Sequence, residues 1–319
     1  MKSKNANLHK SKKEANDEFY TQYEDIAKEI EHYKEHLKGK VVYCNCDIPY
    51  FSNFHKYFLD NFKELELKKL IVTGYIKNGN GKCSIYDGEK STDYDLLGDG
   101  DFSGDECVDM LQKADVIITN PPFSLFREFI KVVVDSRKDF IVVVSKNAIT
   151  YNSIFPMLMN NDMFVGVNNV SNFILSKGRS YDTKNTFVKD SVTYAKFGNI
   201  GWFTSFNVRS DENLLLTKYY VAEQYHKYDN YDVTNIDKLK DVPKDYYGMM
   251  GVPITYMDKH DPTKFEILGI ANGNQYIGAE CFAVVNGEHK YHRITIKRKQ
   301  TNKESFVFFK TFNWIIYIN

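Results

Sequence analysis

The 319-residue sequence is short of the features that mark a disulfide-stapled, membrane-spanning or strongly charged protein. Its five cysteines (Cys44, Cys46, Cys83, Cys107 and Cys281) are an odd number at irregular spacing. No apolar signal core precedes them, so reduced thiols and a cytoplasmic location are expected. Cys44 and Cys46 have no matching His/Cys pair nearby, which argues against a metal site. No apolar run reaches the ~20 residues of a membrane span. Net charge is missing too: 42 Lys+Arg balance 42 Asp+Glu. A uniformly basic nucleic-acid binder is thereby excluded, and contact with a polyanion has to come from local patches. Two patches qualify: Lys2, Lys4, Lys10, Lys12 and Lys13 at the start, and Lys290, His292, Arg293, Lys297, Arg298 and Lys299 later. The first reads equally as a solvated tail.

Aromatic residues are abundant at 15%, with 23 Tyr and 23 Phe. Such rings fill cores, and they also stack on nucleobases. Residues 1–16 are expected to form a mobile basic tail. Residues 17–38 carry Phe19, Tyr20, Tyr23, Ile26, Ile30, Tyr33 and Leu37 at helical spacing, closed by Gly39. Short apolar runs then alternate with helical patterns. Residues 41–44, 70–73, 116–119 and 140–145 read as strands, and 51–62, 104–113 and 124–135 as helices. The alternation predicts an α/β fold with a parallel sheet covered by helices. Further strands are expected at 164–168, 194–197 and 201–206. Beyond about residue 210 the texture becomes rich in Tyr, Asp and Lys, with short strands at 248–253, 265–270 and 292–296. The expected domains are therefore a large unit over 17–210 and a smaller one over 211–319.

The strongest chemical signal is Asn120-Pro121-Pro122-Phe123, directly after the apolar run 116–119. In open parallel sheets, ligands bind at the carboxyl ends of strands, which is where this tetrapeptide would sit. A conjugated aromatic amine is a poor nucleophile because its lone pair is delocalised into the ring. An amide oxygen from Asn120 and the carbonyl of Pro121 would accept its hydrogens and free the lone pair. The prolines stiffen the loop, and Phe123 offers a face for a flat target ring. A plain strand-ending turn remains the competing reading.

The chain resembles the EcoRI-type adenine-specific DNA methyltransferases. The resemblance rests on Asp17-Glu18-Phe19-Tyr20-Thr21, Tyr43-Cys44-Asn45-Cys46-Asp47 with Ser52-Asn53-Phe54, Gly100-Asp101-Phe102 and the Asn120 tetrapeptide. Gly201-Trp202-Phe203-Thr204, Gly251-Val252-Pro253-Ile254-Thr255 and Phe265-Glu266-Ile267-Leu268-Gly269 extend it. It covers roughly residues 15–299 and fades over 301–319. It implies a Rossmann-like, S-adenosylmethionine-dependent core with a C-terminal target-recognition region. It further implies double-stranded DNA as substrate, base flipping, and a restriction–modification system whose endonuclease acts on the same site.

The glycine-rich loop usual after the first strand of such folds is replaced by Asn45-Cys46-Asp47-Ile48-Pro49. By resemblance, Asp47 would bind the cofactor's ammonium, with helix capping as the alternative. Asp101 and Phe102 would hold its adenine, and Phe19, Tyr20 and Thr21 would line the methionine end. Phe123 and either Trp202 or Phe203 would stack on the flipped base. Arg293, Lys297, Arg298 and Lys299 would hold DNA phosphates, with Asn272, Asn274 and Gln275 among the candidates for base reading. Rival readings are an amino-group methyltransferase for RNA or a protein glutamine, and a catalytically silent DNA-binding protein.

Overall fold

A computed structural model of the chain describes residues 19–175, 186–208, 214–271 and 282–300. The early lysines, Asp17, Glu18, Asn272, Asn274, Gln275, Cys281 and residues 301–319 lie outside the described residues. The chain divides into two compact units, Met1–Ser210 and Asp211–Asn319.

The first unit opens with β1 (Phe19–Thr21), α1 (Tyr23–Ile30), α2 (Lys34–Leu37), β2 (Val41–Cys44), α3 (Asn53–Asp60) and β3 (Lys69–Gly74). Next come β4 (Lys82–Tyr86), β5 (Ser91–Asp95), α4 (Asp105–Lys113), β6 (Val116–Thr119), α5 (Phe126–Asp135) and β7 (Asp139–Ser145). It closes with α6 (Phe155–Met159), β8 (Phe164–Leu175), β9 (Thr186–Lys189) and β10 (Val192–Thr204). The result is a mixed α/β structure around one ten-stranded sheet, counted over the described residues. Its centre is parallel, in the order β3-β2-β6-β7. Antiparallel strands extend both sides: β4 and β5 beyond β3, and β10, β8 and β1 beyond β7.

The central strands are continuous apolar runs because both faces are covered. Val42, Cys44, Val72, Val116, Ile118, Ile141 and Val143 pack with Ile26 and Ile30 of α1 and with Phe54, Tyr57 and Phe58 of α3. The alternate residues Tyr43, Ile71, Ile117 and Val142 are buried on the opposite face. One buried charge ties α1 to β8. Glu29 accepts from Tyr33 Oη and from the backbone N–H of Val167 at 2.9 Å, and from the N–H and side-chain amide of Asn168 at 2.7 and 3.0 Å. Four donors leave this carboxylate fully solvated by protein.

The expected helix over 17–38 is instead β1, α1, a 3-10 turn over Glu31–Tyr33, and α2. The reason is remote: β1 pairs antiparallel with residues 173–175 of β8, some 150 positions away, and local periodicity cannot register that. The strands expected at 194–197 and 201–206 are one strand, β10, irregular against β8 between Lys196 and Ile200.

The second unit has two small sheets among its described residues. Strands β11 (Thr234–Asn235), β12 (Met249–Pro253), β13 (Phe265–Ala271), β14 (Val284–Val285), β15 (Glu288–His289) and β16 (Arg293–Arg298) supply them. Four form a sheet in the order β11-β12-β16-β13, and β14 pairs with β15. Met250, Val252, Phe265, Ile270, Ile294 and Ile296 are among its buried apolar side chains.

Candidate active site

The chain runs from β2 to β3 on one side and later reaches β6 on the other. Strand order therefore reverses between the neighbours β2 and β6, the place where open sheets form ligand crevices. A pocket opens at their carboxyl ends, lined by Tyr20, Thr21, Cys46, Asp47, Ile48, Ser52, Asn53, Phe54, Tyr75, Asn120 and Pro122.

Asp47 is its organising residue and is only 6% exposed. One carboxylate oxygen accepts from the Ser52 hydroxyl, and the other from the Thr119 hydroxyl at 2.5 Å. Its backbone N–H donates to Thr73 O at 2.9 Å. The ends of β2, β3 and β6 thus meet at one residue, Thr119 on its carboxylate and Thr73 on its backbone N–H. Ser52 also caps α3 by accepting from Phe54 N at 3.0 Å, so the helix start and the carboxylate share one hydroxyl. Burial pushes the Asp47 carboxyl up to about 6, opposed by the bonds from Ser52 and Thr119. A desolvated carboxylate without a cation is a receptor for one.

The close backbone approach at this loop is provided by a glycine on β3, not on the loop itself. A Cβ on Gly74 would fall 2.6 Å from Ile48 Cα. Gly100, at φ +83°, packs from the far side, where a Cβ would meet Gly74 O at 2.4 Å. Gly74 is squeezed between the Asp47 loop and the Asp101 loop.

Asn120 and Pro122 line the pocket immediately after Thr119. Pro121 is buried, and Phe123 starts a 3-10 turn with its half-buried ring edge-on to Phe173 at 6.1 Å. Tyr20 and Thr21 reach the pocket from β1, which Asn53 secures by donating to Thr21 O at 2.9 Å. Thr21 Oγ1 is buried and has no hydrogen-bond partner among the described residues.

Asp101 lines a neighbouring pocket formed by residues 96–101 and 104–107. Its Oδ1 accepts from Ser103 N at 2.8 Å and Ser103 Oγ at 2.5 Å. The two pockets are electrostatically close: after burial, Asp47, Cys107 and Asp101 all push the Cys46 thiol up. Phe102 does not line either pocket. Its ring is buried, edge-on to Phe129 of α5 at 5.3 Å. Trp202 and Phe203 are also not brought to the pocket. Both are 0% exposed on β10, Trp202 packing on Phe54 and Phe203 on Phe126, so the sheet's two sides consume both rings.

The model of the adenine-specific methyltransferase EcoRI family matches residues 7–97 and 77–314. The chain belongs to this family. The Type II methyltransferase M.EcoRI of Escherichia coli is 40% identical over 323 residues, covering 93% of this chain and 97% of that protein. The Type II methyltransferase M.MpnI of Mycoplasma pneumoniae is 35% identical, covering 92% and 98%. The Type II methyltransferase M.MgeORF184P of Mycoplasma genitalium is 33% identical, covering 92% and 99%. No solved structure gives a significant match.

In this adenine-specific methyltransferase the four expected phosphate-binding cations are not alike. Arg293 pairs with Asp237 at 3.3 Å, with its side chain only 11% exposed. Arg298 donates to Lys244 O and lies over the Tyr247 ring. Lys299 donates to Pro262 O at 2.8 Å. Lys297 alone of the four is exposed with no side-chain partner among the described residues. Arg293 and Arg298 are thus engaged in holding the second unit together. No described helix is long and apolar enough to cross a membrane, and no described group of His, Cys, Asp or Glu could hold a metal ion.

Sequence reasoning missed Thr119, read only as the end of a strand. The available signal was a polar residue closing an otherwise apolar run just before Asn120.

Proposed function

We propose that this chain transfers a methyl group from S-adenosylmethionine to the exocyclic amine of an adenine flipped out of double-stranded DNA. It does so at a specific site, within a restriction–modification system whose endonuclease cuts the same sequence. The carrying observation is that Asn120 and the buried carboxylate of Asp47 share one pocket at the switch between β2 and β6. The pocket's donor set fits the cofactor. Asp47 is an anion awaiting an ammonium, and Thr21 Oγ1 is a buried hydroxyl awaiting a partner. The strand order supports a Rossmann-like methyltransferase core.

When bound, S-adenosylmethionine supplies the electrophilic methyl group. Asp47 holds its ammonium, Tyr20 and Thr21 flank the methionine end, and Asp101 receives the adenine amine. Asn120 Oδ1 and the Pro121 carbonyl accept the two hydrogens of the target amine. That localises the nitrogen lone pair, and the rigid Pro121-Pro122 loop fixes the acceptors before the base arrives. Phe123 stacks on the base. The second unit, 211–319, selects the flanking sequence, with Lys297 and Lys299 on phosphates.

The test is incubation with labelled cofactor and DNA, RNA or protein, followed by identification of the product. Methylated adenine in duplex DNA is expected. Asn120→Ala should lower turnover by ~3 kcal/mol of barrier or more, while cofactor binding stays within a few-fold. Wild-type turnover in that variant would remove Asn120 from the chemistry.

A further inference from the structure

The second unit holds a polar pocket that the transfer reaction does not use, with Lys218, Tyr225, Asn235, Asp237 and Asp241 among its walls. Asn235 lies on β11 and is 5% exposed. Its backbone N–H donates to His226 O at 2.8 Å, which fixes the strand. Beside it in the pocket wall, Asp237 pairs with Arg293 at 3.3 Å. Asn235 Oδ1 is an acceptor that is buried and has no partner among the described residues. Leaving such an atom unpaired destabilises the fold, so a ligand that pairs it gains.

The rest of the pocket is already set. Lys218 Nζ donates to the Asp241 carboxylate, and Tyr225 Oη donates to Asp241 O at 2.9 Å. Tyr220 is stacked between Tyr225 at 5.3 Å and Tyr246 at 4.1 Å. Beside it, Lys244 Nζ sits 3.7 Å over the Tyr219 ring. An acceptor-rich cleft walled by Tyr225 and Lys218, with Tyr220 stacked on Tyr225, suits a nucleobase edge that offers hydrogens, next to a phosphate backbone. A metal ion suits it less, since no described His/Cys/Asp/Glu group has the makings of a metal site.

In the major groove, the hydrogen-offering groups of bases are the exocyclic amines of adenine and cytosine. We propose that this pocket reads one such amine in the DNA site, with Asn235 Oδ1 as the acceptor. The proposal rests on the reading of the second unit as the part that selects sequence. Asn235 acts on discrimination, and it has no part in holding the cofactor.

The experiment is a cycle between protein and DNA. The methylated sequence is first mapped with the wild-type enzyme. Duplexes are then made that each lack one exocyclic amine outside the target base, with purine for adenine or 2-pyrimidinone for cytosine. Wild type should lose roughly tenfold in kcat/KM at one such position. Asn235→Leu should show that loss already on the intact site, and no further loss when that amine is removed. Its cofactor affinity should match wild type, and a cooperative melt shows that it is folded. Should Asn235→Leu not fold, Asn235→Ser is put through the same cycle. A variant that keeps the full wild-type penalty at every position would overturn the proposal while leaving the methyltransferase reading intact. Wild-type protein that methylates no adenine in DNA would overturn both. The identity of the sensitive base tells adenine from cytosine.

Discussion

The Asp47 pocket of the first unit and the Asn235 pocket of the second are built in different ways. In the first unit the central carboxylate is held by its neighbours, with Ser52 and Thr119 both on Asp47, at the ends of buried parallel strands. In the second, the pocket wall comes from a two-residue strand, a 3-10 turn and irregular segments rich in tyrosine. On the division of labour proposed above, the difference follows from the task. Transfer to an adenine amine needs the same geometry whatever the neighbouring sequence, so its groups belong on rigid elements. Selection among sequences differs between enzymes of one chemistry, and loops tolerate that change without disturbing a core.

That contrast can be attacked first at its rigid end. Glu29→Ala would leave the N–H groups of Val167 and Asn168 and the Tyr33 hydroxyl without their acceptor. A loss of about 3–5 kcal/mol is expected, seen as an earlier unfolding midpoint in denaturant. A change under about 1 kcal/mol would show that β8 does not depend on this carboxylate.

Asp47→Asn should act in two directions. The folded-state pKa, pushed up to about 6, lies above the unfolded value of about 4, so the ionised form penalises folding above pH 6. That penalty fades as pH falls towards 4. The isosteric amide removes it, so the cofactor-free variant should gain stability at pH 8, by up to about 3 kcal/mol. Cofactor affinity should fall by roughly 1.5–3 kcal/mol, and the weakening of wild-type binding below pH 6 should vanish. Calorimetry across pH 5–8 decides it; a variant with the same pH profile as wild type would place the cofactor's ammonium elsewhere.

The smallest expected effect belongs to the surface of the second unit. Lys297→Ala with Lys299→Ala should flatten the salt dependence of DNA binding by up to about two charges' worth of slope. Cofactor affinity should stay unchanged. Identical slopes would mean that this strand faces solvent in the complex.

The elements around the proposed site are the easiest to read. Residues 116–119 and 140–145 are uninterrupted apolar runs because they are covered on both faces, and that left Asn120 and its prolines conspicuous at a strand end. The hairpin β4–β5 was invisible: residues 91–95 are all exposed and show no apolar alternation. Its one local sign was Asp87-Gly88, where Asp87 accepts from Glu89 N and Lys90 N and Gly88 takes φ +100°. Trp202 and Phe203 exposed the limit in the other direction. An aromatic pair reads the same whether it faces a ligand or, as here, two layers of core. Arg293 reads from sequence as a phosphate-binding cation because a sequence does not reveal that Asp237 is its neighbour.

The bond between Thr119 and Asp47 spans 72 positions of sequence, so the pocket has an assembly order built into it. Strands β2 and β3 and the helix between them are local in sequence and can associate early. The carboxylate gains its second hydroxyl only once β6 has docked against β2, after the β4–β5 hairpin and α4 have been accommodated. A nascent chain that has not passed residue 119 has neither that hydroxyl nor Asn120. Ligand that binds the completed pocket therefore pulls on the docking of β6 against β2, acting as a folding effector as well as a reactant.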